Sequence, residues 1–343
     1  MSIIDLRLLE ARAQYPTGFD VQHLREQIYG YINLANQSEL LNMATKGLIE
    51  NSWGRTAVRI PVMSQNKPTV TNGSMDCTFV DQDAVATYFD VTFVQGWVPV
   101  DMIPTEIEGN ELTYQQVFAR KLRDAELAIA DEIDAAIYTA LDSAKATTYN
   151  STLVPTDYPL AGDALQVSAA LRPRFFNDAK AIMLADDFQA APLDVIGNPA
   201  LAADVAFFGN QGGANDTNTQ FQFNGYNFNF SRSTTVTAAA RSTGFVMPPN
   251  TIGLYGRVSG DARRNEESTT GVQWGTMMSD LLGFNLEVMY KSDCANVSAR
   301  TGNPDDTGNL KEQWKLYYNV AILTPYVGAA ETNNGIKKFD MLT

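Results

Sequence analysis

Residues 113–143 read TYQQVFARKLRDAELAIADEIDAAIYTALDS, and this stretch decides the architecture. Phe118, Leu122, Ala125, Ile129, Ile133, Ile137 and Leu141 recur at steps of three and four, which predicts one apolar stripe along a single helix. Arg120, Lys121, Asp124, Asp131, Glu132 and Asp134 are expected on the opposite face. Thr113 followed by Gln116 has the spacing of a capping box and marks the start. Thirty residues at ~1.5 Å each make a rod of roughly 45 Å, long for a globular domain, and a helix of that length serves as a strut.

The charge around this strut is one-sided. Between Pro99 and Ser143 there are ten carboxylates against Arg120, Lys121 and Arg123, and the whole chain of 343 residues has a formal charge of −14. Such a chain does not bind nucleic acid by releasing counterions, nor seek anionic membranes. MSIIDLRLLEARAQYP lacks the apolar core of a signal peptide, and no apolar run is long enough to span a bilayer. Cys77 and Cys294 do not make a disulfide framework. The expectation is a soluble chain made in a cytoplasm.

Upstream of the strut, residues 1–50 have helical spacing, interrupted at Pro16-Thr17-Gly18 and ending at Gly47. Thr56, Val58, Ile60 and Val62 then alternate with Arg55, Ala57, Arg59 and Pro61. A second alternating strand runs through Val85, Phe89, Val91, Phe93 and Trp97. The turn-rich SQNKPTVTNGS lies between them, so the pair forms a two-stranded extension whose apolar face must rest on something else.

Downstream, a short helix is expected near Ala164–Leu171, ended by Pro173, and then a buried strand, AKAIMLA. In FQFNGYNFNF, Asn224-Gly225 is the preferred pair for a type I′ hairpin, setting Phe223 against Tyr226 and Phe221 against Phe228. Phe284, Leu286, Val288 and Tyr290 share a face, as do Trp314, Leu316, Tyr318, Val320 and Ile322, and these strands should pair as an antiparallel ribbon.

Enzyme equipment is sparse. The one histidine, His23, has no second histidine or cysteine beside it, which leaves little for zinc or for Ser-His-Asp chemistry. Phosphate-binding GxxxxGK, a strand-linked GxGxxG and CxxC are all lacking. Asp186-Asp187 follows AKAIMLA where α/β enzymes place catalytic groups, yet adjacent extended residues point apart and Asp commonly serves as a turn or cap. GNQGGANDTN at 209–218 is oxygen-rich but lacks the spacing of a calcium loop. No catalytic, cofactor-binding or metal-ligating residue is assigned.

The order of elements resembles that of the tailed-bacteriophage major capsid protein with the Hong Kong 97-type fold, an α+β architecture. The resemblance makes residues 1–52 an N-terminal helical arm, 53–98 the extended two-stranded loop, 99–160 with 280–343 a peripheral domain on spine helix 113–143, and 161–279 an inserted axial α/β domain. It implies a non-enzymatic shell subunit that assembles with itself as hexamers and pentamers, without cofactor or metal. It further implies a virion location, assembly in the bacterial host cytoplasm, a separate scaffolding protein, a portal, and enclosed double-stranded DNA bound without sequence specificity. A leader removed before Met1 would replace the scaffolding protein, and no Lys–Asn cross-link is assigned. An acidic wall suits this role, because a basic one would trap the polymer being packed. Two alternatives are an encapsulin-like cage of the same fold, holding protein cargo, and a cytoplasmic carboxylate-dependent hydrolase with two acids facing across a cleft.

Overall fold

The computed structural model describes residues 29–41, 43–50, 52, 58–63, 86–103, 114–212, 225–264, 271–296, 307–325 and 332–343. Among them are six helices, α1 Gly30–Gln37, α2 Met43–Glu50, α3 Tyr114–Ser143, α4 Arg172–Ala185, α5 Pro199–Gly212 and α6 Gly260–Arg264. Thirteen strands accompany them: β1 Val58–Met63, β2 Ala86–Val91, β3 Phe93–Met102, β4 Leu160–Ala161, β5 Ala164–Val167, β6 Leu193–Gly197, β7 Tyr226–Phe230, β8 Ala240–Met247, β9 Gly253–Gly256, β10 Gln273–Ser279, β11 Phe284–Asn296, β12 Thr307–Leu323 and β13 Lys337–Leu342. The class is α+β.

Helix α3 is the predicted rod. All seven stripe residues are buried, none more than 4% exposed, against a five-stranded sheet ordered β10-β11-β12-β3 with β9 beside β12. The C-terminal ribbon takes the expected form: Val288 pairs with Leu316 and Tyr290 with Trp314, putting both apolar sets on the helix side. Trp314 stacks at a tilt on Phe118, 4.9 Å between ring centres, and on Tyr290 at 4.5 Å. Thr113 of the proposed capping box lies outside the described residues, as do residues 1–28 with His23 and the 16–18 turn, 64–85 with Cys77, and 213–224.

One assignment on this helix changes. Asp134 belongs to the buried side, where its carboxylate accepts the backbone N–H groups of Tyr31 at 3.1 Å and Ile32 at 3.3 Å and the hydroxyl of Ser231. These amides open α1, so the spine helix caps the N-terminus of another helix, a charge-assisted arrangement that the helix dipole favours. Asp131 keeps the solvent side and pairs with Arg232 at 2.7 Å. Asp131→Asn and Glu132→Gln should therefore change stability by less than about 0.5 kcal/mol in a denaturant titration.

The two-stranded extension is antiparallel, with Val58 opposite Val91 and Ile60 opposite Phe89. Val58 and Ile60 are buried and Arg59 and Pro61 exposed, as the alternation predicts. Beyond Val91 the chain changes partners. Thr92 is not in a strand, and β3 pairs with β12 rather than continuing the extension, so Trp97 stands 55% exposed on the sheet face away from α3. Gly47 also does not end its helix: α2 runs on to Glu50 because fully buried Ile49 anchors the last turn.

The second unit is a six-stranded mixed sheet ordered β4-β5-β13-β8-β6-β7. Here periodicity misled. Ala164–Val167 is strand β5, and Pro173 opens helix α4 instead of closing one, because proline's missing N–H costs nothing in a first turn. AKAIMLA is the second half of α4, and its Ala179, Ile182 and Met183 continue the buried face begun by Phe175 and Phe176. The buried strand is β6. Gly225 has φ +86°, as a turn glycine should, and Tyr226 and Phe228 pack on one side of β7. Their proposed partners Phe221 and Phe223 lie outside the described residues, and β7 pairs in parallel with β6. The last strand, grouped with the ribbon on sequence, lies near the middle of this second sheet, parallel to β5 and antiparallel to β8. Conversely β9 and β10, inside 161–279, belong to the first sheet.

Candidate assembly surfaces

Buried carboxylates in the described residues are occupied by structural partners. Asp340 accepts from Thr243 at 2.6 Å, Thr237 at 3.1 Å and Gln166 at 3.2 Å. Glu287 accepts the Ser259 amide at 2.6 Å and its hydroxyl at 3.0 Å, and Asp204 pairs with Arg241 at 3.0 Å. Asp186 is the C-cap of α4 and meets Lys337 at 2.6 Å, with both side chains buried. Its neighbour Asp187 has φ +63°, a turn conformation that Asp tolerates. The pair therefore has the turn-and-cap role and faces no cleft together. Gly209–Gly212 of the oxygen-rich stretch are in α5, and its remainder lies outside the described residues. Among the described residues no three His, Cys, Asp or Glu groups are placed to hold a metal, and no helix is long and apolar enough to cross a membrane.

Burial pushes the Asp134 carboxyl above the usual carboxylate range, opposed by hydrogen bonds from Ser231 and Ser233 and the Ile32 and Tyr31 amides. A raised folded value means that the stability contribution is complete below the ordinary value of 3.8 and is lost as pH rises through the folded value. Asp134→Asn retains an oxygen for the two amides, so it should cost no more than about 1 kcal/mol at neutral pH and remove this part of the pH dependence. Asp134→Leu leaves both amides unpartnered and should cost about 1–3 kcal/mol for each. Urea titrations at acid and neutral pH check both.

Several large side chains among the described residues are left uncovered. On the extension, Tyr88 is 68% exposed, directly across from Pro61, and beside it Arg59 meets Asp90 at 3.0 Å. On the open face of the first sheet, the Lys315 ammonium sits 4.5 Å above the exposed Trp97 ring, next to a Tyr317–Gln95 hydrogen bond of 2.8 Å. Leu184 and Phe207 stand more than half exposed on the second unit. Aromatic and aliphatic side chains spread over four elements suit packing against other macromolecular surfaces better than they suit a small ligand.

Sequence reasoning marked the apolar face of the extension, which here rests on the chain's own Tyr255, Ala321 and Leu323, and did not single out Tyr88 or Trp97. It missed Lys337 and Lys338, which are buried in a strand and reach Asp186 and Asp142, the latter at 2.7 Å. Their adjacency in a short polar-looking segment gave no local sign of burial.

No protein-family model matches the chain, and no curated protein matches it in sequence. Its fold is shared with solved phage structures. The capsid of Ralstonia phage GP4 superposes with a TM-score of 0.52 at 10% identity, over 96% of this chain and 93% of that one. A chain from Mycobacterium phage Adephagia gives 0.48 at 13% identity over 100% and 97%, and the capsid of cyanophage P-SCSP1u gives 0.45 at 11% over 84% of each. The fold is that of a phage capsid chain, and the GP4 likeness alone carries that statement.

Proposed function

We propose that this chain is the major capsid protein of a tailed phage, a non-enzymatic subunit that assembles with itself into an icosahedral shell. The observation that carries this is the likeness of its fold to a capsid chain, which extends over 96% of this chain and 93% of that one. In this reading the fold is of the Hong Kong 97 type. Residues 1–52 are the arm, 53–98 the extended loop, 99–160 with 280–343 the peripheral domain, and 161–279 the axial domain. The sheet memberships favour redrawing these bounds, with β3, β9 and β10 in the peripheral sheet and β13 in the axial one.

The shell would consist of hexamers and pentamers, built in the bacterial host cytoplasm with a separate scaffolding protein and a portal. It would enclose double-stranded DNA without reading its sequence, and it needs no cofactor, metal or membrane. The net charge of −14 supports an interior over which packed DNA moves without being captured. Particles purified from producing cells and treated with nuclease should retain protected double-stranded DNA. Particles that instead hold a folded protein cargo and no DNA would replace this reading with that of an encapsulin-like cage.

A further inference from the structure

Helix α4 presents different chemistry at its two ends. At its start, Arg172 lines an open cleft of about 450 Å³ together with Asp204 and Phe207 of α5 and Arg241 of β8. Both Asp204 oxygens are engaged: one meets Arg241 Nε at 3.0 Å and the other accepts the Ser242 hydroxyl at 3.2 Å. Arg172 pairs with no carboxylate among the described residues, and its Nε is buried without a hydrogen-bond partner. Phe207, on the same cleft, is 57% exposed.

The lining therefore holds two guanidinium groups to one carboxylate, beside an uncovered ring. A half-buried cation with no counter-charge has given up part of its hydration for nothing, so an incoming carboxylate stabilises it more than it would a fully hydrated arginine. The chain has 39 carboxylates against 25 lysines and arginines, so copies approaching one another repel on balance. A contact with a cation in excess offsets that repulsion.

The far end of the same helix has the complementary pair. Leu184, in the last turn of α4, is 62% exposed, and Asp187, just beyond the helix, is exposed as well. Fourteen residues at ~1.5 Å place the two ends roughly 20 Å apart, so a chain does not fill its own cleft.

We propose that the cleft at the start of α4 is a socket for a second copy, filled by the far end of that copy's α4. Leu184 packs on Phe207, and the Asp187 carboxylate accepts from Arg172. Socket and plug are different surfaces of one chain, so the contact is heterologous and repeats head to tail until the rotation closes a ring. Naming a second copy as the occupant rests on the shell-subunit reading.

The test is linking by a short bis-maleimide in particles of the full chain that carries Leu184→Cys and Phe207→Cys, with Cys77→Ser and Cys294→Ser to remove other thiols. Denaturing gels should show a ladder of dimers, trimers and higher species, and neither single cysteine variant should give one. Adding Arg172→Gln should cut linking about two- to fivefold at low salt, and Arg172→Lys should cut it less. Particles without the ladder would overturn the socket and leave the shell reading standing. A dimer from a single cysteine variant would also overturn it, because that surface would then meet itself. A wild-type chain that forms no closed particles would overturn the shell reading and the socket together. Should the cysteine pair block assembly, the map of wild-type particles decides: an Asp187 carboxylate of the adjoining copy must lie within hydrogen-bonding reach of Arg172, and its absence there would overturn the socket.

Discussion

Ile129→Asp is expected to abolish the folded subunit and with it every particle. Ile129 is 1% exposed at the middle of α3 and faces the five-stranded sheet, and Ile133 one turn further on is fully buried. A carboxylate there has no cation or amide to meet it and must be buried unpaired or prised out with the helix. Either outcome costs several kcal/mol, a large share of the stability of a whole domain. Ile133→Asp should behave alike. Particle counts by electron microscopy, together with circular dichroism of the soluble fraction, read the result. Normal assembly of Ile129→Asp would mean that α3 is not the strut around which the first sheet is built.

Lys337→Met should be nearly as damaging, for an electrostatic reason. Lys337 and Asp186 meet at 2.6 Å with side chains 3% and 0% exposed, and the ammonium also donates to Asn333 Oδ1 at 2.6 Å. The rings of Tyr149 and Phe188 lie 4.5 and 5.5 Å from it. Removing the cation leaves the Asp186 charge buried, and breaking such a pair from one side costs about 3–5 kcal/mol. The double change Lys337→Met with Asp186→Asn removes both charges and should recover most of the loss, since Asn still accepts the Asn150 amide that Asp186 now holds at 2.6 Å. Denaturant titration of the three variants gives the coupling. A single variant within about 0.5 kcal/mol of wild type would show that the pair contributes no net stability.

How much of this was legible follows from the range of the forces involved. The strut, the extension and the C-terminal ribbon announce themselves by period, because each has one face on a core and one in solvent. The second unit did not. Residues 172–185 are compatible with either helix or strand until Pro173 is taken as an opening residue, and β5 and β6 are too short for periodicity to decide. The position of β13 is a pairing between residues 165–167 and 339–341, a contact that no local pattern encodes. Asp134 was misplaced because its partners, the Tyr31 and Ile32 amides, are about a hundred residues away. On a helix wheel it sits at the edge of the polar face, and only its partners make burial tolerable. The candidate surfaces were not legible: the apolar side of the extension is covered by the chain's own Tyr255, Ala321 and Leu323, exposed Tyr88 lies on its other face, and the sheet face carrying Trp97 depended on where the chain changes sheets.

The central claim, that this fold is a shell subunit, is tested most directly by cryo-microscopy, alongside size-exclusion chromatography, of this chain purified from phage-producing cells, where any scaffolding protein is also made. The account predicts closed icosahedral particles in which the Tyr88 face of the extension is covered by a neighbouring copy. A monodisperse species of 37.6 kDa that stays monomeric at high protein concentration, with that face in solvent, would contradict it.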